Sequence, residues 1–146
     1  MDDIDRAILR ELQTDGRIAY ADLGPKVGLS ASAARQRLQR LLDSKVVQVV
    51  GVTDPMAMGR QSMALLGISV DGDPRAVADV LAQREEVVYM VLTAGPYDLF
   101  AEVVCGQPAD LLDLVNDVVR PIDGVTGVET FPYFGIHTHR FLWDVG

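Results

Sequence analysis

The composition of this 146-residue chain is that of a folded protein with one domain or two small ones. Hydrophobic residues make up 49% of the chain and aromatic residues only 6%, which excludes an intrinsically disordered protein and predicts an aliphatic core. The single cysteine, Cys105, excludes an internal disulfide, and no apolar run reaches the length of a membrane span, so we expect a cytoplasmic protein.

The net charge of −8 is distributed unevenly along the chain. Residues 1–60 contain nine basic and eight acidic side chains, a charge of +1, whereas residues 61–146 contain four and thirteen, a charge of −9. Because phosphate binding depends on local charge, the acidic part does not exclude a nucleic-acid site in the first part. With a boundary around residues 54–62, we assign residues 1–53 to a first domain and residues 54–146 to a second.

Three helices are predicted within the first 45 residues. The first begins at Asp2 or Asp3 and ends at Asp15-Gly16, which has turn chemistry. A short segment at residues 20–27 then meets Gly28, which supplies the left-handed backbone of a sharp turn. Ser30 is a good N-cap for a third helix that extends to Ser44. This order is typical of a helix-turn-helix.

The third helix has an apolar stripe on one face and polar side chains on the other. Glutamine and arginine form paired hydrogen bonds with base edges, and arginine also binds phosphate, so the polar face suits the DNA major groove. A solvated amphipathic helix is the alternative. The residues predicted to contact double-stranded DNA are Ser30, Ser32, Arg35, Gln36, Arg37, Gln39 and Arg40.

A β-branched run from Val46 to Thr53 predicts a strand that is apolar on both faces. We expect both faces to be covered, and a partner chain is one candidate for the cover. Asp54-Pro55 ends the run.

The remaining chain predicts an α+β domain with the order βαββαβ, the ferredoxin-like arrangement. One helix begins at Asp73-Pro74 and the other extends from Pro108 to Arg120. Helices on one face of a four-stranded antiparallel sheet leave the other face bare, and we expect a second subunit to cover it. The strands are predicted at residues 62–70, 87–93 and 99–105 and within residues 125–143.

Short motifs follow one another in a distinctive order: Ile4-Asp5-Arg6, Ile8-Leu9, Leu12-Gln13, Asp15-Gly16-Arg17-Ile18, Val27-Gly28-Leu29-Ser30, Arg37-Leu38-Gln39-Arg40-Leu41, Asp54-Pro55, Gly95-Pro96-Tyr97-Asp98, Gly124-Val125 and Glu129-Thr130-Phe131. Over essentially the whole chain, this ordered set resembles the Lrp/AsnC transcription regulators. The resemblance implies an N-terminal winged helix-turn-helix and a C-terminal ferredoxin-like domain of the RAM type. It also implies homodimers that often form octamers, and an amino acid or related small molecule as effector.

The ligand site of that family includes the loop that corresponds to Gly95, Pro96, Tyr97 and Asp98. Backbone amides in such a turn can receive a carboxylate, and the Asp98 carboxylate can hold an ammonium group. A hairpin turn with Asp98 as a turn former is the alternative. The family often has an acidic or small polar residue at the position of Pro96. Proline has no backbone N–H, so Pro96 removes one amide that could have met the carboxylate.

Two other residues depart from the family pattern. Pro25, preceded by Gly24, lies inside the segment that should be the second helix, where proline removes a helical amide and clashes one turn back. Lys45 stands where the family usually has glycine after the recognition helix. Both departures predict a kinked or shifted DNA-reading head.

Two further interpretations remain open: a small-molecule-binding or enzymatic ferredoxin-like protein, and an architectural DNA-binding protein. The sequence contains no nucleophile–base pair and no phosphate loop, so we predict neither enzymatic activity nor a cofactor. His137 and His139 share one face of a strand, but only Asp144 lies near enough in sequence to complete a metal site, and none is predicted. Phe131, Tyr133 and Phe134 are interpreted as core or interface.

Overall fold

A computed structural model describes residues 1–138 and 143–145, which form two compact units. The helical unit comprises Met1–Val52 with Thr138–Gly146, and the sheet unit comprises Thr53–His137. The division after Val52 lies next to the predicted boundary. The C-terminal residues, which the sequence assigns to the second domain, are grouped with the helices because Arg6 and Gln13 donate hydrogen bonds to the carbonyl oxygens of Val145 and Trp143.

The helical unit contains the three predicted helices: α1 (Asp3–Thr14), α2 (Tyr20–Lys26) and α3 (Ala31–Asp43). Asp2 and Asp5 form a capping box at the start of α1, and the Ser30 hydroxyl accepts from the amide of Ala33 at the start of α3. One apolar cluster joins the helices. It consists of Ile8, Leu9, Leu12, Leu23, Ala34, Leu38 and Leu41.

Helix α2 continues through Pro25 to Lys26, so the proline does not end it. Pro25 is the penultimate residue of the helix, where its missing amide removes a single hydrogen bond. Gly24 has a role that the sequence pattern did not reveal, because a Cβ atom there would lie 2.8 Å from the carbonyl oxygen of Leu29. Glycine therefore permits the turn before α3 to pack against the backbone of α2.

Lys45 has a φ angle of 57°, the left-handed conformation for which glycine is favoured. This backbone costs a non-glycine residue about 1–2 kcal/mol. The left-handed backbone explains why glycine suits this position after α3. Lys45 adopts the same backbone conformation although it has a side chain.

The strand predicted from Val46 to Thr53 does not form within the single chain, because the run has no ladder with a described residue. Its first two amides turn back to Leu41, and no described residue pairs with the rest as a ladder. β-branched side chains favour extended backbone, but a strand also needs a hydrogen-bonded neighbour. Val50 and Val52 remain 69% and 58% exposed.

The sheet unit has the predicted βαββαβ order, with β1 (Ser62–Val70), α4 (Pro74–Leu81), β2 (Val87–Leu92), β3 (Leu99–Cys105), α5 (Pro108–Asp113) and β4 (Val125–Pro132). A π-helical segment, Leu114–Val119, continues α5. The strands are antiparallel in the order β2-β3-β1-β4, with β1 paired to both β3 and β4. The ferredoxin-like fold is confirmed. No helix in the described ranges is long and apolar enough to cross a membrane.

Successive side chains along each strand point to opposite faces of the sheet. The inner face packs against α4 and α5 through residues such as Leu66, Ile68 and Leu99. The opposite face, which we call the outer face, contains the paired residues Leu65, Gly67, Phe100, Glu102, Glu129 and Phe131. Both helices contribute to the cluster on the inner face, as the sequence predicts.

Arg37 connects α3 to the start of α1. Its Nη1 atom donates to Oδ2 of Asp2 at 2.5 Å and to Oδ1 of Asp5 at 3.0 Å. The hydrogen bond from Arg37, helped by the amide of Asp5, lowers the pKa of Asp2 from 3.8 to about 2. The ion pairs therefore stabilise the fold of the helical unit as long as these carboxylates are charged.

We expect Arg37→Met to lower the melting temperature at neutral pH, by an amount that depends on pH. The folded-state pKa of Asp2 lies below its unfolded value, so the contribution is present above about pH 4 and is lost as the pH falls towards 2. Melting temperatures measured by circular dichroism across this range should differ less between Arg37→Met and wild type as the pH falls. The control is Arg35→Met, since Arg35 forms no ion pair with a described residue. A difference that is independent of pH would contradict the ion-pair role.

Candidate functional site

Five of the side chains predicted to contact DNA line one shallow groove of about 370 Å³ on the exposed face of α3. The opposite side of the helix carries Ala34, Leu38 and Leu41, which are buried in the core. Packing of this apolar stripe against α1 and α2 therefore turns the polar face outwards. The groove residues are Ser32, Arg35, Gln36, Gln39 and Arg40.

The other two predicted contacts, Ser30 and Arg37, do not line this groove. The hydroxyl of Ser30 accepts from the amide of Ala33, 3.2 Å away, so it serves as the N-cap. Arg37 is turned towards the carboxylates at the start of α1 and makes the ion pairs described above. On a helical wheel it lies between the polar and the buried faces, which brings its guanidinium within reach of α1.

The groove carries its positive charge on Arg35 and Arg40. Neither guanidinium forms an ion pair with another residue in the described part of the chain. Gln39 donates from Nε2 to Oδ1 of Asp43 at 2.8 Å, which orients its amide group along the helix. The arrangement offers two cations and amide groups on one helical face, the chemistry that binds phosphates and base edges.

The predicted effector residues belong to a turn between β2 and β3, which we call the 93–98 turn. The amide of Thr93 donates to the carbonyl oxygen of Asp98 at 2.9 Å, and the amide of Asp98 donates to that of Ile68 at 2.9 Å. The Thr93 hydroxyl also donates to the carbonyl oxygen of Tyr97. The two ends of the turn are therefore held by hydrogen bonds to each other and to β1.

The tip of the 93–98 turn has backbone donors that are not used. The amides of Ala94, Gly95 and Tyr97 make no hydrogen bond with a described residue, and Pro96 has no amide to donate. Residues 94–96 are exposed, and a Cβ atom at Gly95 would have no atom of the described chain within 4 Å. Neighbouring free amides with open space beside them can receive a carboxylate.

Asp98 has a structural partner that the sequence did not reveal. Its Oδ2 atom accepts from the amide of Val70 at 2.7 Å, where an irregularity between Ser69 and Val70 shifts the register of β1 and β4. An amide left unpaired by such a bulge is costly to bury, so the carboxylate stabilises this end of the sheet. Because Oδ2 is used in this way, the predicted contact with an ammonium group would have to use Oδ1 of Asp98.

The side chain of Tyr97 points away from the tip of the turn and lies over Gly67 on the outer face. Its hydroxyl donates to the carboxylate of Glu129, and this hydrogen bond raises the pKa of Tyr97. The four predicted effector residues therefore divide into two exposed residues at the tip, Gly95 and Pro96, and two that anchor the turn.

The histidine pair considered for a metal falls partly outside the structure, since His139 is not among the described residues. Within residues 1–138 and 143–145, no group of three His, Cys, Asp or Glu side chains has the geometry of a metal site.

Two family models match the chain: the AsnC-type helix-turn-helix domain at residues 1–42 and the Lrp/AsnC ligand binding domain at residues 63–140. The HTH-type transcriptional regulator FL11 of Pyrococcus furiosus is 31% identical over 139 residues, which cover 94% of this chain and 91% of that protein.

Solved structures agree with this assignment. The leucine response regulatory protein LrpA of Mycobacterium tuberculosis superimposes with a TM-score of 0.89 at 28% identity, over 99% of both chains. The L-Met complex of the transcriptional regulator NMB0573 from Neisseria meningitidis has a TM-score of 0.86 over 97% of this chain and 94% of that one. Its identity of 22% shows a common fold alone.

The polar groove on α3 and the sheet unit that follows it therefore belong to a member of the Lrp/AsnC family of transcriptional regulators, with a DNA-binding and a ligand-binding domain.

Proposed function

We propose that this protein is a cytoplasmic homo-oligomeric regulator that binds double-stranded DNA through α3 and senses an amino acid or a related small molecule. The groove on α3 carries the first part of this proposal. An α-helix of 13 residues is about 20 Å long and fits the major groove, where Gln36 and Gln39 meet base edges. Arg35 and Arg40 flank them and reach phosphates or guanine. We propose no catalytic step and no cofactor.

Arg40→Ala and Gln36→Ala should weaken DNA binding in different ways. Loss of a phosphate contact at Arg40 lowers affinity for all sequences alike and reduces the slope of log K against log salt by about 1. Loss of a base contact at Gln36 relaxes preference at one position, at a cost of about 1–3 kcal/mol for the preferred base. Fluorescence anisotropy over a salt series, with selected and scrambled duplexes, measures both effects.

The matched control is Arg75→Ala, an exposed arginine on α4 of the sheet unit. Wild-type affinity in both α3 variants would sink the assignment of the groove. Equal binding of selected and scrambled duplexes by the wild-type protein would instead favour an architectural role without a specific site.

The outer face supports the proposal of a homodimer, while the assembly of such dimers into an octamer is proposed from the family alone. Phe131 and Tyr89, which pairs with Glu102 of that face, are 40% and 60% exposed in the single chain. Covering apolar surface contributes about 25 cal/mol per Å², so a second copy of the face is its natural partner. A two-fold dimer would also present two copies of α3 to a two-fold related DNA site.

Phe131→Glu should therefore shift the protein towards the monomer, because it places a charge in the covered face beside Glu102 and Glu129. Light scattering after size-exclusion chromatography at micromolar concentration measures the mass. Val80→Glu is the control, since Val80 is 50% exposed on α4, a helix that packs on the other side of the sheet. A wild-type protein that is a stable monomer at this concentration would refute the proposed assembly.

For the effector we propose the tip of the 93–98 turn. The free amides of Ala94, Gly95 and Tyr97 would receive a carboxylate, and the unshared oxygen of Asp98 would accept from an ammonium group. An amino acid carries both groups. NMB0573 is a structural neighbour with bound L-Met, which makes L-methionine the first amino acid to test.

We expect at least one of the twenty amino acids to raise the melting temperature, since a ligand at a hundred times its Kd stabilises by about 2.7 kcal/mol. Asp98→Asn should abolish this response and leave basal DNA affinity unchanged. Asparagine keeps an oxygen acceptor for the Val70 amide and removes the charge, whereas Asp98→Ala would also disrupt the bulge. Asp79→Asn, an acidic residue of α4, is the control. If none of the twenty amino acids changes the melting temperature or the DNA affinity, the proposed sensing role is refuted.

A further inference from the structure

Gly67 occupies an unfavourable position for glycine, in the middle of the central strand β1. Glycine in a strand interior loses more conformational entropy on folding than other residues and has no side chain to pack. The space beside it is nevertheless filled, because a Cβ atom at Gly67 would lie 2.9 Å from Cγ of Tyr97 and 3.0 Å from Cδ1 and Cδ2. The Tyr97 ring thus lies directly on the backbone of β1.

The ring of Tyr97 is held from several directions. Phe100 and Phe131 contact it edge to face, with ring centroids at 5.3 Å and 6.2 Å. Its hydroxyl donates to Glu129, which is paired with Gly67 across β1 and β4. An aromatic ring that covers a strand glycine is a known means of stabilising a sheet at that point. Here the ring comes from a turn rather than from a neighbouring strand.

The backbone of Tyr97 belongs to the part of the 93–98 turn that offers free amides. Its own amide is one of the three, and its carbonyl oxygen accepts from the Thr93 hydroxyl. The next residue, Asp98, is fixed to β1 by its amide and its carboxylate. With the ring fixed over Gly67 on one side and Asp98 fixed on the other, the direction of the Tyr97 amide is determined.

We propose that Gly67 is a positioning residue of the effector site. By leaving room for the ring of Tyr97, it holds the 93–98 turn in the shape whose amides receive the carboxylate of an amino acid. This role rests on the proposed effector function of the turn. It also gives Tyr97 two functions, since its amide faces the ligand and its ring forms part of the outer face that a second copy covers.

A double-mutant cycle tests the contact itself. Gly67→Ala should lower the melting temperature by about 5–10 °C in the presence of Tyr97, because the new Cβ displaces the ring. In a Tyr97→Ala background the same substitution should be neutral or stabilising, since the space is empty and alanine suits a strand better than glycine. Equal losses in both backgrounds would overturn the proposal. Gly127→Ala is the control, because among the described residues its Cβ would contact only Ser69, at 3.8 Å, an ordinary van der Waals distance.

Hydrogen exchange followed by mass spectrometry tests the effect on the turn without any ligand. The amides of Thr93 and Asp98 are hydrogen-bonded in the structure, and Gly67→Ala should make a peptide that contains them exchange about tenfold faster. Gly127→Ala should leave its exchange unchanged. Wild-type exchange in Gly67→Ala would mean that the ring does not position the turn.

The response to ligand separates positioning from a merely structural role. L-methionine and the other nineteen amino acids are titrated against each variant, and Gly67→Ala should lose at least tenfold in affinity for those that bind wild type. The double variant should melt no lower than Tyr97→Ala alone and should still lack affinity, because the ring is absent from both. Wild-type affinity in the double variant would overturn the positioning role. If no amino acid binds wild type, the effector function fails, while the cycle and the exchange rates still decide whether Gly67 shapes the turn.

Discussion

The pairing of β1 with two neighbours determines where the functional groups of the sheet unit lie. β1 exchanges hydrogen bonds with β3 on one side and β4 on the other, and its inward side chains form the core with the two helices. The same register places Gly67 opposite Phe100 and Glu129, which creates the surface on which the Tyr97 ring lies. A shift by one residue would turn this surface inwards, since successive strand residues point to opposite faces.

The 93–98 turn shows how structural and functional demands are divided within a few residues. Asp98 and Tyr97 use most of their polar groups to attach the turn to β1 and to the outer face. The exposed tip, where we propose the effector, keeps amides that make no hydrogen bond with a described residue. A turn that is fixed at its base and open at its tip loses little conformational freedom when a ligand binds, which favours affinity.

In the helical unit, some polar residues of α3 stabilise the fold and others line the exposed groove. Ser30 and Arg37 stabilise the fold, one as a cap and the other as the ion-pair partner of α1. Of the groove residues, Gln39 alone makes a side-chain hydrogen bond with another described residue, Asp43 of the same helix. Positive charge is therefore retained on the exposed face, although the chain as a whole carries a net charge of −8. Because the polar face makes no part of the core, its side chains can be replaced with little effect on the packing of the helical unit.

Sequence alone determined the helices, the four strands of the sheet and the βαββαβ order, because caps, proline positions and hydrophobic period are local signals. It also identified the polar face of α3 and the turn at residues 95–98. The tertiary structure decided the partners of individual side chains. Arg37 lies 35 residues from Asp2, Asp98 lies 28 residues from Val70, and both contacts depend on how distant segments pack. The run from Val46 to Thr53 forms no ladder within the single chain for the same reason, since strand propensity is local and a pairing partner is not. Gly24 and Gly67 could be understood only in three dimensions, where a Cβ atom would meet the Leu29 backbone in one case and the Tyr97 ring in the other.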